Sequence, residues 1–471
     1  MNQQLRATFN IIFFSLIIIH FHTIELSAQK FAGGNSHSIA VCENGSIWTW
    51  GSNFAGQLGD NSTGNRLVPT QINGITEVME VDAGESFSLA LKNDKTVWSW
   101  GNNNNGQLGN GNNTMNSTPS QIANLNDVIA ISAGYEHVLA LKSNGNVLSW
   151  GANVFGQLGN GENVARNTPL ELSQFNNVIA ISAAARHSLF LKNDGTVWAC
   201  GTNANGQLGN TSVNASNTPI QVSQLSDVIA IAASGLHSLA LKSDGTVWAW
   251  GANFYGQLGD NSFNQRALPV QVAELNGITS IACGGDFLGG GHSLALNNEG
   301  SVYAWGYNNK GQLGINSTEN QSTPVLVSNL SEVTSIAAGN NFSFAVNQNI
   351  STWGFNSTGQ LGNNSILDIS IPTTINDFCP ITTSIGNSFN SIKAIIYPNP
   401  MQYTAVISLV ADVNQFDVFM IDGLGKKVYN KTNLSGNQFE IQRNQLAGGI
   451  YQIIALSKGK IIFTERLMII D

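Results

Sequence analysis

Charge is what this chain has least of. Only 10 % of its 471 residues are Asp, Glu, Lys or Arg, against about 25 % in a typical soluble domain, so Asn, Gln, Ser, Thr and Gly must supply the polar surface. The charge present runs negative, with a formal net of −9 and just 20 basic residues. A face that reads phosphates needs clustered Lys and Arg, which argues against nucleic acid as a partner. Cysteine is also scarce: four do not make a disulfide scaffold, allow three pairings, and show no zinc-type spacing. Long apolar runs are absent except for Ile11–Ile19, too short for a membrane span of about 20 residues. With Arg6 before it and Leu26, Ser27 and Ala28 after it, the run reads as the core of a signal peptide over residues 1–28. The mature chain is then expected to start at Gln29, with no transmembrane segment.

What is abundant is repetition. Gly-Gln-Leu-Gly occurs seven times, beginning at Gly56, Gly106, Gly156, Gly206, Gly256, Gly311 and Gly359, each five residues after another glycine, with periods of 50, 50, 50, 50, 55 and 48 residues. Such self-similarity marks a supersecondary unit that buries its faces only against neighbours. In the third copy the runs Val128–Gly134, His137–Lys142, Asn146–Trp150 and Leu170–Leu172 are short, rich in β-branched and aromatic types and punctuated by Asn-Gly or glycine turns, as short antiparallel strands are. Four strands in each of seven units predict a seven-bladed β-propeller, an all-β fold, over residues 29–378. Ring closure has two candidates: a stub at Gln29–Ala32, or Ile381–Ile385. In the second case Cys379 comes near Cys42, and the pair is expected to form a disulfide in an oxidising compartment.

The unit resembles the regulator of chromosome condensation repeat, Ala-Gly-x-x-His-Ser-Leu-Ala-Leu-Lys followed by Gly-x-Val-x-x-Trp-Gly-x-Asn-x-x-Gly-Gln-Leu-Gly, and the match runs from Gly34 to about Pro372. The resemblance implies a ring of seven blades. It does not by itself imply an activity.

Tryptophan and histidine both follow the repeat. All ten tryptophans occupy two slots of one strand: Trp50, Trp100, Trp150, Trp250, Trp305 and Trp353 before glycine, and Trp48, Trp98, Trp198 and Trp248 two residues earlier. A residue present in nearly every blade answers a need of every blade, so these are read as packing between blades, with Cys200 a small buried substitute. Of seven histidines, His20 and His22 lie in the leader, and His37, His137, His187, His237 and His292 share one position, held by Phe87 and Phe342 in the other units. Phenylalanine cannot ligate a metal or carry a proton, so the position is expected to be structural, bonding backbone at each hairpin. No histidine is left over for a Ser-His-Asp or Cys-His arrangement, and no Walker loop or His-Glu-x-x-His motif occurs. The reading is a protein without catalytic residues, metal or cofactor. Carboxylates from different blades meeting at the channel mouth are the one catalytic pattern left open.

After Pro372 the repeat stops. A linker over residues 379–395 leads to a region, 396–471, of short alternating runs at Ala405–Leu409, Phe416–Ile421, Lys427–Tyr429, Phe439–Ile441, Ile450–Leu456 and Ile461–Ile470, which predict a small C-terminal β-sandwich. Tyr397, Pro398, Asn399 and Pro400, then Asp422 and Gly425, then Gly449 and Tyr451 resemble the three landmarks of the type IX secretion C-terminal sorting domain of Bacteroidetes. The resemblance implies passage to the periplasm, recognition by the type IX machinery, and release or surface attachment of the propeller.

A specific ligand must be read by what differs between blades. Three departures stand out: the aromatic turn residues Phe54, Phe155, Phe254 and Tyr255; the sixth unit's five-residue insertion, with Asp286 and Phe287; and the hairpin tip Tyr135-Glu136, aligned with Glu85, Arg186 and Leu236. These are the candidate binding residues of an exported, non-enzymatic module that recognises an extracellular protein or glycan. Guanine-nucleotide exchange, implied only by the resemblance, and a hydrolase or lyase at the channel mouth are the alternatives.

Overall fold

The computed structural model describes residues 31–375 (other than 43, 174, 212–213 and 348), 394–397, 401–421, 427–443, 446–457 and 460–469. The leader, the linker and the Ile381–Ile385 closure candidate lie outside the described residues. The chain divides into two units, Met1–Ile381 and Thr382–Asp471.

The first unit contains seven four-stranded antiparallel sheets, each with its strands in sequence order. Blade 3 is representative: Val128–Ala133, His137–Lys142, Val147–Gly151 and Arg166–Glu171. The fourth strand starts four residues before the predicted Leu170, because a register shift between Ser149 and Gly151 lets Arg166 pair with Gly151. Pro169 sits in that outer strand, where an edge position needs no ladder N–H. Blade 1 is completed by the stub, Phe31–Gly33, which pairs with His37–Val41. The ring is closed: Phe31, Ala40 and Trp50 of blade 1 form one core with Phe342, Phe344 and Ile350 of blade 7, and Asn340 N donates to Gly34 O. Cys42 is disulfide-bonded while Cys200 and Cys283 are free; the expected partner, Cys379, lies outside the described residues.

The repeated residues explain how blades lock together. In blade 3 the buried Asn153 accepts from Leu158 N through Oδ1 and donates through Nδ2 to Glu162 O at 2.9 Å and Val164 O at 3.2 Å, so one side chain ties the loop between third and fourth strands. Gln157 Oε1 accepts from Phe155 N. The glutamine carbonyl is the latch to the next blade. Gln57 O accepts from Trp100 Nε1 at 2.9 Å and Ser88 Oγ at 2.8 Å, and Gln360 O of blade 7 accepts from Trp50 Nε1 and Ser38 Oγ of blade 1. The glycine two residues after this glutamine must be glycine: Gly109 has φ +64°, and a Cβ there would lie 2.8 Å from Trp150 Nε1.

The histidines are structural, and the partner all five share is a serine of the next blade, with a backbone hydrogen bond besides at His37, to Phe87, and at His237, to Ser234. His137 Nε2 lies 2.8 Å from Ser188 Oγ of the next blade, and the same contact joins His37 to Ser88, His187 to Ser238, His237 to Ser293 and His292 to Ser343. In each acceptor blade the serine hydroxyl already gives its proton to a glutamine carbonyl, so the histidine donates from Nε2–H, and the ring is neutral. Burial enforces this, lowering the imidazoles to about 4 at His37 and His237 and about 3 at the others.

The second unit forms a single five-stranded sheet: Ala394–Tyr397, Thr404–Ile421, Lys427–Gln442, Gly449–Ser457 and Lys460–Ile469. The runs expected as separate strands at Ala405–Leu409 and Phe416–Ile421 are one continuous strand, and so are Lys427–Tyr429 and Phe439–Ile441. Register shifts between Ser408 and Val413 and between Val413 and Phe416 break this hairpin's ladder midway. Its first half pairs with Ala394–Tyr397 and its second with Gly449–Ser457, so one sheet supplies both halves around a core that includes Ile407, Phe416, Met420, Ile441, Ile453 and Leu467.

Candidate functional site

Strand direction alternates within each blade, so the hairpin between first and second strands and the loop between third and fourth open on the same end of the ring, here called the upper face. Tyr135, Glu136, Asp286 and Phe287 lie in the former elements, and Phe54, Phe155, Phe254 and Tyr255 in the latter. Backbone bonds collar the upper mouth of the channel: Asn35 N donates to Glu85 O, Glu85 N to Tyr135 O and Tyr135 N to Ala184 O.

The structure brings five of the eight candidates into one cluster. The insertion is shaped by Asp286, whose Oδ1 accepts from Leu288 N at 2.8 Å and Gly290 N at 3.1 Å. This turn sends Phe287 of blade 6 to Tyr135 of blade 3, ring centroids 5.3 Å apart and edge-on. Arg186 of blade 4 lies over Phe287 at 5.0 Å and over Phe155 at 4.6 Å, a cation held between two ring faces. Glu136 accepts from Asn105 Nδ2 at 2.8 Å. Burial raises its carboxyl above the ordinary range, opposed by that hydrogen bond and by the Arg186 charge. Glu85 is likewise raised by burial and by the charge of Glu136, against its hydrogen bond to Tyr135, and the Tyr135 phenol is raised by burial and by Glu85.

The other three stand apart. Tyr255 packs on Tyr307, centroids 4.4 Å apart. Phe254 lies beside Gly289 of the insertion yet is 51 % exposed, and Phe54 is 68 % exposed. Phe155 and Tyr255 are therefore packing residues of the face, while Phe54 and Phe254 present open rings. Two exposed neighbours, Val154 and Leu288, lie in the departing turn and insertion but are not among the candidates, and sequence reasoning missed two channel carboxylates, Glu80 and Asp82. Both carboxylates stand on the first strand of blade 2, in slots held by Ala130 and Ser132 in blade 3. That departure was visible in the repeat alignment, but the first strand reads as scaffold.

The channel encloses about 330 Å³ and is walled by the first strands of all seven blades. Asp82 accepts from Ala83 N and, across the blade boundary, from Ala133 N, both at 2.8 Å. Burial pushes its carboxyl up to about 7 and that of Glu80 up to about 8. Glu80 and Asp82 come from one blade, while at the mouth Glu85 of blade 2 lines the channel and meets the charge of Glu136 of blade 3. Among the described residues no group of three or more His, Cys, Asp or Glu is placed to hold a metal ion. The two free thiols are pushed up by burial, the opposite of what a nucleophile needs.

In the second unit, Tyr397 ends its strand 77 % exposed, and buried Tyr451 donates to Ala447 O at 2.9 Å. Gly449 begins the fourth strand. Pro398, Asn399, Pro400, Asp422 and Gly425 lie outside the described residues. Among the described residues no helix is long and apolar enough to cross a membrane.

A closed ring of seven four-stranded blades, latched by a repeated Trp–Gln contact and followed by a separate sheet unit, defines the class as a repeat β-propeller with a C-terminal accessory domain. The chain belongs to the RCC1-like domain family, whose model matches residues 123–392, more than half of its length. Regulator of chromosome condensation (RCC1) repeats match 44–91 and 94–141, and the secretion system C-terminal sorting domain matches 395–470. The X-linked retinitis pigmentosa GTPase regulator homolog of Caenorhabditis elegans is 45 % identical over 49 residues, 10 % of this chain and 4 % of that protein. Protein RCC2 homolog of Danio rerio is 40 % identical over 60 residues, 12 % of each. The matches thus span a small part of those relatives' own length. Among solved structures, Prp20p of Saccharomyces cerevisiae superposes with a TM-score of 0.65 at 26 % identity, over 73 % of this chain and 88 % of that one. Human WBSCR16 does so with 0.62 at 27 %, over 70 % and 94 %.

Proposed function

We propose that this protein is an exported binding module, without catalytic activity, whose upper face recognises a protein or glycan outside the cell. The observation that carries the proposal is the asymmetry between the two ends of the ring. Large apolar side chains stand exposed in upper-face turns and loops at Phe54, Met115, Val154, Phe254, Phe263 and Leu288. Ion pairs do not distinguish the ends, since Arg66–Asp60 and Arg266–Asp260 stand on the upper face and Lys92–Glu77 and Lys95–Asp127 on the lower, but no comparable set of exposed apolar side chains stands in the lower-face turns among the described residues. Exposed apolar groups gathered on one surface mark a contact site. The sorting domain supplies the route to the exterior, either the medium or the cell surface. A solved relative, yeast RCC1 (Prp20), was crystallised with Kap60 bound, in keeping with protein recognition by this fold. The buried, neutral histidines and raised thiols favour binding over catalysis.

The test pairs affinity with stability, using the partner recovered from the culture medium. Phe254→Ala and Phe54→Ala are expected to cost about 2 kcal/mol of affinity at unchanged melting temperature, because their rings face solvent. Phe155→Ala and Tyr255→Ala are expected to lower the melting temperature, because Arg186 and Tyr307 lose their platforms. A stability loss without an affinity loss at Phe54 and Phe254 rules the reading out.

A further inference from the structure

Glu80 and Asp82 are unexplained by the ring. The aligned slots hold alanine and serine in blades 3 and 4, and there Ser132 Oγ and Ser182 Oγ accept the same cross-blade amide that Asp82 accepts, so a hydroxyl is enough to close that contact. Glu80 is only 7 % exposed, and its one hydrogen bond is a 3.4 Å acceptance from Ile131 N at Oε1. Its Oε2 accepts no hydrogen bond from any of the described residues. Among the described residues no Lys, Arg or His lines the channel, and neither carboxylate takes part in an ion pair. A buried carboxylate without a counter-charge costs several kcal/mol. Retaining two such groups side by side on one wall is understandable if a ligand brings the cation.

The rest of the enclosure defines that ligand. Beyond these two carboxylates the wall is mostly alanine, serine, glycine and isoleucine, including Ile131, Ile181 and Ile231, with Glu85, Asn35, Asn340 and Cys283 as its other polar groups. At the upper mouth Tyr135 lines the channel, and Phe287 packs edge-on against it. A divalent metal asks for six or more oxygen ligands, and no metal-holding group of side chains exists among the described residues. An ammonium group asks for three acceptors, and Glu80 Oε2, Asp82 and a channel carbonyl can supply them. We infer that the central channel is a binding site for a small organic cation, a primary ammonium on a short aliphatic chain, with its charged end at Glu80 and Asp82 and its apolar end against the isoleucine wall.

The probe is n-butylammonium chloride, titrated calorimetrically into the full chain at pH 8 with sodium chloride as the ionic control. One saturable site is expected, accompanied by shifts of the Ile131, Ile181 and Ile231 methyl signals in nuclear magnetic resonance spectra. Glu80→Gln/Asp82→Asn, isosteric and checked for an unchanged near-ultraviolet circular dichroism spectrum, is expected to weaken binding by roughly tenfold or more, as loss of a buried charge pair does. Glu77→Gln, which removes an exposed carboxylate on the lower face, is expected to leave binding unchanged. The inference is overturned by an absence of saturable heat, by wild-type affinity in the double variant, or by equal weakening in the Glu77 variant.

Discussion

At the scale of single residues, the departures from the repeat come in compensating groups. Blade 4 has Cys200 where six blades have an indole, and its thiol makes a 3.4 Å contact to Gln157 O and a hydrogen bond with Ser188. The missing volume is filled by Phe190 and Phe175, which share a core with Cys200 and pack edge-on, centroids 5.2 Å apart. Alanine holds the Phe190 slot in blades 3 and 5, at Ala140 and Ala240. Phe190→Ala is therefore expected to destabilise the fold by about 3–5 kcal/mol, read from denaturant unfolding, and Cys200→Ala by much less. The reverse order would show that the thiol contact, not ring volume, holds this interface. A second group is Phe87 with Val138, which stand in one core where other blades place a histidine against a serine. The paired change was legible in the sequence, since both residues leave the repeat in neighbouring units. The histidine's partner was not, because it lies 51 residues away across a blade boundary. The capture of Phe155 by Arg186 was hidden for the same reason: repeat alignment shows which position departs, but not which neighbouring blade supplies the contact.

At the scale of elements, the latch and the channel strands make separate predictions. Gly109→Ala forces a left-handed φ on alanine and a close approach to Trp150, so a loss of about 2–4 kcal/mol is expected; a change under about 0.5 kcal/mol would refute the latch. Two sets of buried groups set the pH dependence. The five histidines are neutral in the fold down to about pH 3–4 but protonate near 6.5 when unfolded. Over that window the unfolded chain binds more protons, and stability falls as pH drops. Glu80 and Asp82 hold protons in the fold up to about 8 and 7, whereas unfolded they ionise near 4.5 and 3.8. Here the folded chain binds more protons, and stability falls as pH rises from about 4 to 8. Five groups outweigh two on the acid side, and only the carboxylates act above pH 7. The melting temperature is expected to peak near neutrality, and Glu80→Gln/Asp82→Asn to flatten the decline between pH 7 and 8. A double variant that tracks the native protein through that range contradicts the assignment. The strands themselves were readable from alternation and turns, but the bent hairpin of the second unit was not. Its midpoint, around Gln415 at φ +59°, carries polar residues that read as a loop while the ladder resumes on either side.

At the scale of the whole molecule, ring and tail are separate units. The blades form a core that closes on itself, and the landmarks of secretion lie in the second unit. Removal of residues 397–471 is expected to leave a propeller with an unchanged unfolding midpoint that stays in the periplasm, checked by fractionation; secretion of the truncated chain at the native level would sever the link between tail and export. The seven-fold architecture was legible because identical spacings recur in every unit. The face proposed to bind became legible only once strand direction placed the turns, since no single blade shows which end collects the exposed apolar groups. The most direct measurement of that claim is site-specific photocrosslinking in the producing culture, with a photoreactive phenylalanine at position 254 on the upper face or at position 95 on the lower. A discrete, competable adduct is predicted from position 254 and none from 95; equal adducts from both ends, or an adduct from position 95 alone, would contradict a binding role for the upper face.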